Sequence, residues 1–94
     1  MYNPPHPGKF IQEVYLEPLD LSYRTVAAKL HVSPSTFSRL VRGQSRVTPE
    51  MTLRLSKTLG RSPESWLAMQ SNYDLWQVRK SFNLDVVEKL SLQT

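Results

Sequence analysis

The chain has 94 residues, 39% of them apolar and 21% charged, with seven Pro, three Gly and no Cys. This length and balance fit one small globular domain and exclude a disulfide frame or a cysteine-based zinc site. The net charge of +4 is local: between Arg24 and Lys57 seven cations face the single acid Glu50, whereas from Arg61 onward four cations meet four acids. A basic patch focused on so small a domain points first to nucleic acid. His6 and His31 cannot form a ligand cluster alone, so neither metal nor cofactor is expected. The start, MYNPPHPGK, lacks the basic and apolar regions of a signal peptide, and no run approaches the roughly eighteen apolar residues of a membrane span. A cytoplasmic protein without membrane contact is the expectation.

Helical start signals recur along the chain, and strand patterns do not, so the fold is expected to be all-α. Pro7-Gly8 opens a first segment in which Phe10, Ile11, Val14 and Tyr15 recur at helical spacing. Pro18 is expected to end it, giving helix one about 8–17. Ser22 caps a second helix, with Val26, Ala27 and Leu30 on one face. Ser33 followed by Pro34 starts a third, which ends at Gly43. The same device recurs at Thr48-Pro49-Glu50, for a fourth helix stopped by Gly60, and at Ser62-Pro63-Glu64, for a fifth running to about Lys80. Each of these last starts places Glu in the first turn, where it favours the positive end of the helix dipole. Leu84, Val87 and Leu90 give the tail a weak pattern, read as a short or fraying helix.

The joint between helices two and three is only Leu30-His31-Val32-Ser33. So tight a connection forces a steep crossing and needs one residue near the left-handed region, for which His31 fits, and an apolar plug, for which Val32 fits. With Phe37, Leu40 and Val41 turned inward, Pro34, Ser35, Thr36, Ser38, Arg39 and Arg42 are left facing outward. This is the layout of a helix-turn-helix, whose second helix enters the major groove and reads base edges with its N-terminal turns. Ser35, Thr36, Ser38 and Arg39 are therefore the expected base-reading residues; short side chains allow close approach, and Arg39 can reach a guanine edge with two donors.

The run SYRTVAAKLHVSPSTFSRLVRG, residues 22–43, resembles the Xre (Cro/phage-repressor) helix-turn-helix family. The stretch from His6 to Trp76 is similar to the HigA (VapI-like) antitoxins, through HPGKFIQEVYLEPLDLS before the motif and TPEMTLRLSKTLGRSPESWLAMQSNYDLW after it. The resemblance implies a five-helix, phage-repressor-like domain over residues 1–94, with a C-terminal dimerisation helix and tail at about 63–94. It also implies a dimeric antitoxin of a type II toxin–antitoxin system, which binds double-stranded operator DNA, represses its own operon and neutralises a RelE-like, mRNA-cleaving toxin. Where the family commonly has Gly, this chain has Asp20 and His31, residues that tolerate positive φ better than most. Tyr23 stands where the family contacts a phosphate, usually with Gln. With Ser33, Arg42, Gln44, Ser45 and Arg46 it makes up the expected DNA-backbone set. A repressor without a toxin partner, and an interaction module that has lost DNA binding, are the alternatives.

Other constellations carry less. Neither His has an evident Ser or acid partner, no Gly-rich phosphate loop exists, and the pair Glu13 and Glu17 reads as a solvated helix face, so no enzyme is expected. Trp66, Met69, Tyr73 and Trp76 recur at helical spacing in a neutral neighbourhood and read as core or subunit contact. Leu67, Leu75 and Val78, continuing to Phe82, give the last helix a second apolar face, the expected interface of a homodimer that sets two recognition helices one DNA turn apart. No long disordered tail is expected, so a toxin would dock on folded surface.

Overall fold

Pro7 cannot donate a backbone hydrogen bond, and at the first position of a helix it has none to lose. In a computed structural model that describes residues 3–91, the first helix, α1, begins there and runs over residues 7–19. It does not stop before Pro18. Between Pro7–Ile11 and Glu17–Leu19 the turn Gln12–Leu16 is π-helical, and the Glu17 N–H bonds to the Gln12 carbonyl five residues back. Widening this turn shifts the carbonyls that a proline ring would otherwise strike, so the helix carries Pro18 and ends only at Leu19.

The remaining helices begin where the Ser and Thr caps place them. They are α2 (Tyr23–Leu30), α3 (Pro34–Val41), α4 (Pro49–Leu59) and α5 (Pro63–Ser81), and the side chains of Ser22, Ser33, Thr48 and Ser62 each accept from the N–H three residues on. Among the described residues there are five helices and no strand. The first three helices end alike, with a left-handed residue just past the helix: Asp20 at φ 51°, His31 at φ 61° and Gly43 at φ 77°. In each case the next N–H reaches back to close the last turn: Leu21 to Leu16, Val32 to Ala27 and Gln44 to Arg39, at 2.8–3.1 Å. Asp20 and His31 thus adopt the conformation expected of them.

Ile11, Leu16, Val26, Ala27, Leu30, Phe37, Leu40, Val41, Val47, Leu55 and Trp66 form one buried cluster drawn from all five helices and the loop after α3. Trp66 anchors the start of α5: its ring is fully buried, and its indole N–H donates to the Gly60 carbonyl at 2.9 Å. Beyond Ser81 the described residues make a single 3₁₀ turn, Leu84–Val86, where a short or fraying helix is expected. Leu84, Val86, Val87 and Leu90 all lie exposed, so no packed face supports a longer helix.

Candidate nucleic-acid interface

Helices α2 and α3 meet at the tight joint. Ala27 is fully buried at the crossing, Val32 is half-buried against the core, and Phe37, Leu40 and Val41 turn inward. Arg54 of α4 locks the corner from behind. Its Nη1 donates to the carbonyls of Leu30 (2.9 Å) and His31 (3.2 Å), while its Nε and Nη2 donate to Glu50. This capping of a helix end 24 residues away was not visible in the sequence, where Arg54 counted simply as one more cation.

The opposite side of α3 is open. Ser33 is exposed and spends its oxygen as a cap, accepting from the Thr36 N–H at 3.1 Å and donating to the Thr36 hydroxyl at 2.8 Å; the Ser35 hydroxyl lies 3.2 Å from it. These hydroxyls form a small preformed cluster at the helix start, where backbone N–H groups favour an anion. Ser38 is half-buried, so the outward face is narrower than periodicity implied. Arg39 and Arg42 are exposed. Neither takes part in an ion pair among the described residues, and Glu50, the acid of this region, is held by Arg54.

The flanking positions are more committed. Tyr23 is half-buried edge-to-face against Phe37 at 5.9 Å, and its hydroxyl donates to Gln12 at 3.2 Å. Its one proton is thus already engaged, and donation to a phosphate requires releasing Gln12. In the loop after α3, Gln44 is exposed and Ser45 half-buried. Arg46 is ion-paired with Asp74 of α5. His6, an N-cap that sequence reasoning missed, holds the same loop: Nδ1 accepts from the Gly8 N–H at 2.9 Å and Nε2 donates to the Ser45 carbonyl at 3.1 Å, with the ring edge-to-face on Tyr73. Both bonds suit the neutral ring, and burial, its main influence, pushes the His6 pKa below the ordinary value.

Residues 13–66 match the family model for helix-turn-helix domains, HTH_3. The chain belongs to that helix-turn-helix family. Among its relatives, the uncharacterized HTH-type transcriptional regulator YddM of Escherichia coli is 39% identical over 93 residues, covering 99% of this chain and 98% of that one. Among solved structures, antitoxin GraA superposes with a TM-score of 0.88 at 29% identity, covering 96% of this chain and all of that one. The antitoxin HigA of Pseudomonas aeruginosa, solved with the higBA promoter, superposes with a TM-score of 0.82 at 27% identity, covering 94% and 96% of the two chains. The HigA-like resemblance of the sequence therefore holds in the fold as well.

Within the helix-turn-helix, α3 is the second helix of the motif, and α5 follows outside it. On α5, Leu67, Leu75 and Val78 are 40%, 51% and 53% exposed, and Phe82 just beyond it 54%. The structure thus brings the expected interface residues together on surface, apart from the Trp66 and Gln70 side that packs inward. No helix among the described residues is long and apolar enough to cross a membrane.

Proposed function

We propose that this helix-turn-helix protein is the antitoxin of a type II toxin–antitoxin pair, acting in the cytoplasm as a homodimer that binds operator DNA, represses its own operon and neutralises a RelE-like mRNA-cleaving toxin. The observation that carries the DNA-binding part is the open face of α3: small hydroxyls at Ser35 and Thr36, then Arg39 without an acid partner among the described residues. Within Pro34–Val41, Arg39 is the outward side chain that carries a rigid fork of donors for a guanine edge, while Arg42 lies at the C-cap. Ser35, Thr36 and Ser38 supply shorter contacts. Arg42, Gln44, Ser45 and Arg46 bind the phosphate backbone beside them, with Ser33 and Tyr23 at the two helix starts. The apolar face of Leu67, Leu75, Val78 and Phe82 joins two copies, so that two recognition helices meet successive turns of one DNA face. The antitoxin part is supported by the likeness to GraA and to HigA, both named antitoxins.

Two experiments test the reading. Mobility shift with the DNA upstream of the gene, at two salt concentrations, is expected to show preference over a scrambled sequence and weakening as salt rises. Equal affinity for both sequences would overturn operator recognition. Co-expression with the adjacent reading frame is expected to relieve growth arrest caused by that frame alone. If arrest persists while both chains accumulate, the antitoxin assignment fails and a repressor without a toxin remains.

A further inference from the structure

Gln70 and Asp74 lie one turn apart on α5 and face the loop that follows the recognition helix. Gln70 is only 1% exposed, yet both ends of its amide are used: Oε1 accepts from the Val47 N–H at 2.8 Å and Nε2 donates to Asp74 Oδ1 at 3.0 Å. The other oxygen of Asp74 pairs with Nη1 of Arg46. Two side chains of one helix therefore hold the backbone at position 47 and the side chain at position 46, across 23 and 28 residues of sequence. A buried amide satisfied at both ends resists movement, because letting go of either partner strands a polar group away from water. The Ser45 carbonyl, held by His6, fixes the same loop from its other side. Arg46 keeps Nε and Nη2 without partners among the described residues, on a side chain that is 66% exposed.

We infer that Gln70 and Asp74 are positioning residues for DNA binding: they set the loop after α3 and orient Arg46 so that its unbonded guanidinium donors meet a phosphate in fixed register with the recognition helix. The inference rests on the operator binding proposed above. It gives Asp74 a second consequence. Its charge offsets that of Arg46, which lowers attraction to arbitrary DNA while keeping the geometry that a matched site uses.

The test compares affinity for the upstream DNA and for a scrambled duplex across a salt series, using the full chain. Asp74→Asn keeps an acceptor for Gln70 but releases Arg46. It is expected to raise scrambled-DNA affinity, steepen its salt dependence and cut the operator-to-scrambled ratio by about three- to ten-fold. Gln70→Met, near in size and equal in charge, is expected to cut the ratio without steepening the salt dependence. Asp74→Glu is expected to restore most of it. Partial unfolding lowers both affinities together and leaves the ratio in place, so the ratio separates positioning from simple loss of fold; should Gln70→Met fail to fold, Asp74→Asn decides alone. A wild-type ratio retained in the variants that fold would overturn the inference while leaving operator binding intact. A wild-type protein without any preference would instead remove the operator reading, and this inference with it.

Discussion

Gly8 of α1 packs directly against Leu40 of α3: a Cβ added at Gly8 would overlap the Leu40 carbonyl oxygen and come within 2.7 Å of that of Val41. Both obstacles are backbone atoms at the end of α3, which cannot swing aside as a side chain does. Gly8→Ala must therefore push α1 away from α3. A loss of about 1–3 kcal/mol in urea unfolding is expected, as for other overpacked cores, with weaker operator binding beside it. Unchanged stability would mean that α1 does not dock on the end of α3.

His6 makes the same junction sensitive to pH. Its ring is neutral in the fold, accepting from the Gly8 N–H and donating to the Ser45 carbonyl, and burial holds its pKa below the ordinary 6.5. The unfolded chain then binds this proton more readily than the folded one. The stabilisation is present in full above pH 6.5 and is lost as pH falls through the lowered folded value. Thermal unfolding at a series of pH values is expected to show this decline, and His6→Asn, which keeps a cap acceptor but cannot titrate, to flatten it. An identical pH profile for wild type and variant would remove His6 as its source.

Much of this frame was legible because its causes are local. The caps at Ser22, Ser33, Thr48 and Ser62 act over three residues and the left-handed turns at His31 and Gly43 over five, so neighbouring residues reveal them, whereas Asp20 is marked by the family resemblance. What escaped acts at a distance or breaks a local rule. The π-helical turn before Pro18 defeats the expectation that proline ends a helix. Arg46 counted as free positive charge because Asp74 lies 28 residues away, and the hold of Arg54 on the Leu30 carbonyl spans 24 residues, although its pairing with Glu50 is only four residues distant. His6 caps α1 through the Gly8 N–H only two residues on, but its tie to the Ser45 carbonyl spans 39 residues and has no local signal.

Assembly is expected to depend on the exposed face of α5. Leu75 and Val78 are about half exposed in the single chain, so a charge there costs little unless a second copy covers it. Leu75→Glu or Val78→Glu is expected to cost the dimer about 3 kcal/mol or more by stranding a carboxylate in an apolar interface, while monomer folding changes little. Sedimentation of wild type and variants reads this out. A wild-type protein that is monomeric at tens of micromolar would remove the homodimer and its paired half-sites.

Readout is expected to centre on Arg39. Its guanidinium has no acid partner among the described residues, and Glu50, the nearby acid in sequence, is already engaged by Arg54. The neighbouring hydroxyls of Ser33, Ser35 and Thr36 bond to one another and can rotate to suit several bases or a phosphate, so they discriminate weakly. Arg39 instead presents two parallel donors that match N7 and O6 of guanine, worth about 1–3 kcal/mol against the wrong base. Arg39→Ala is expected to lose about that much per half-site and relax preference at one base pair, whereas Arg39→Lys keeps the charge but loses much of the preference. A base-by-base substitution scan of the operator separates this from a backbone contact. If Arg39→Ala lowers affinity evenly and leaves the pattern of base preferences unchanged, Arg39 binds phosphate and the sequence is read elsewhere on α3.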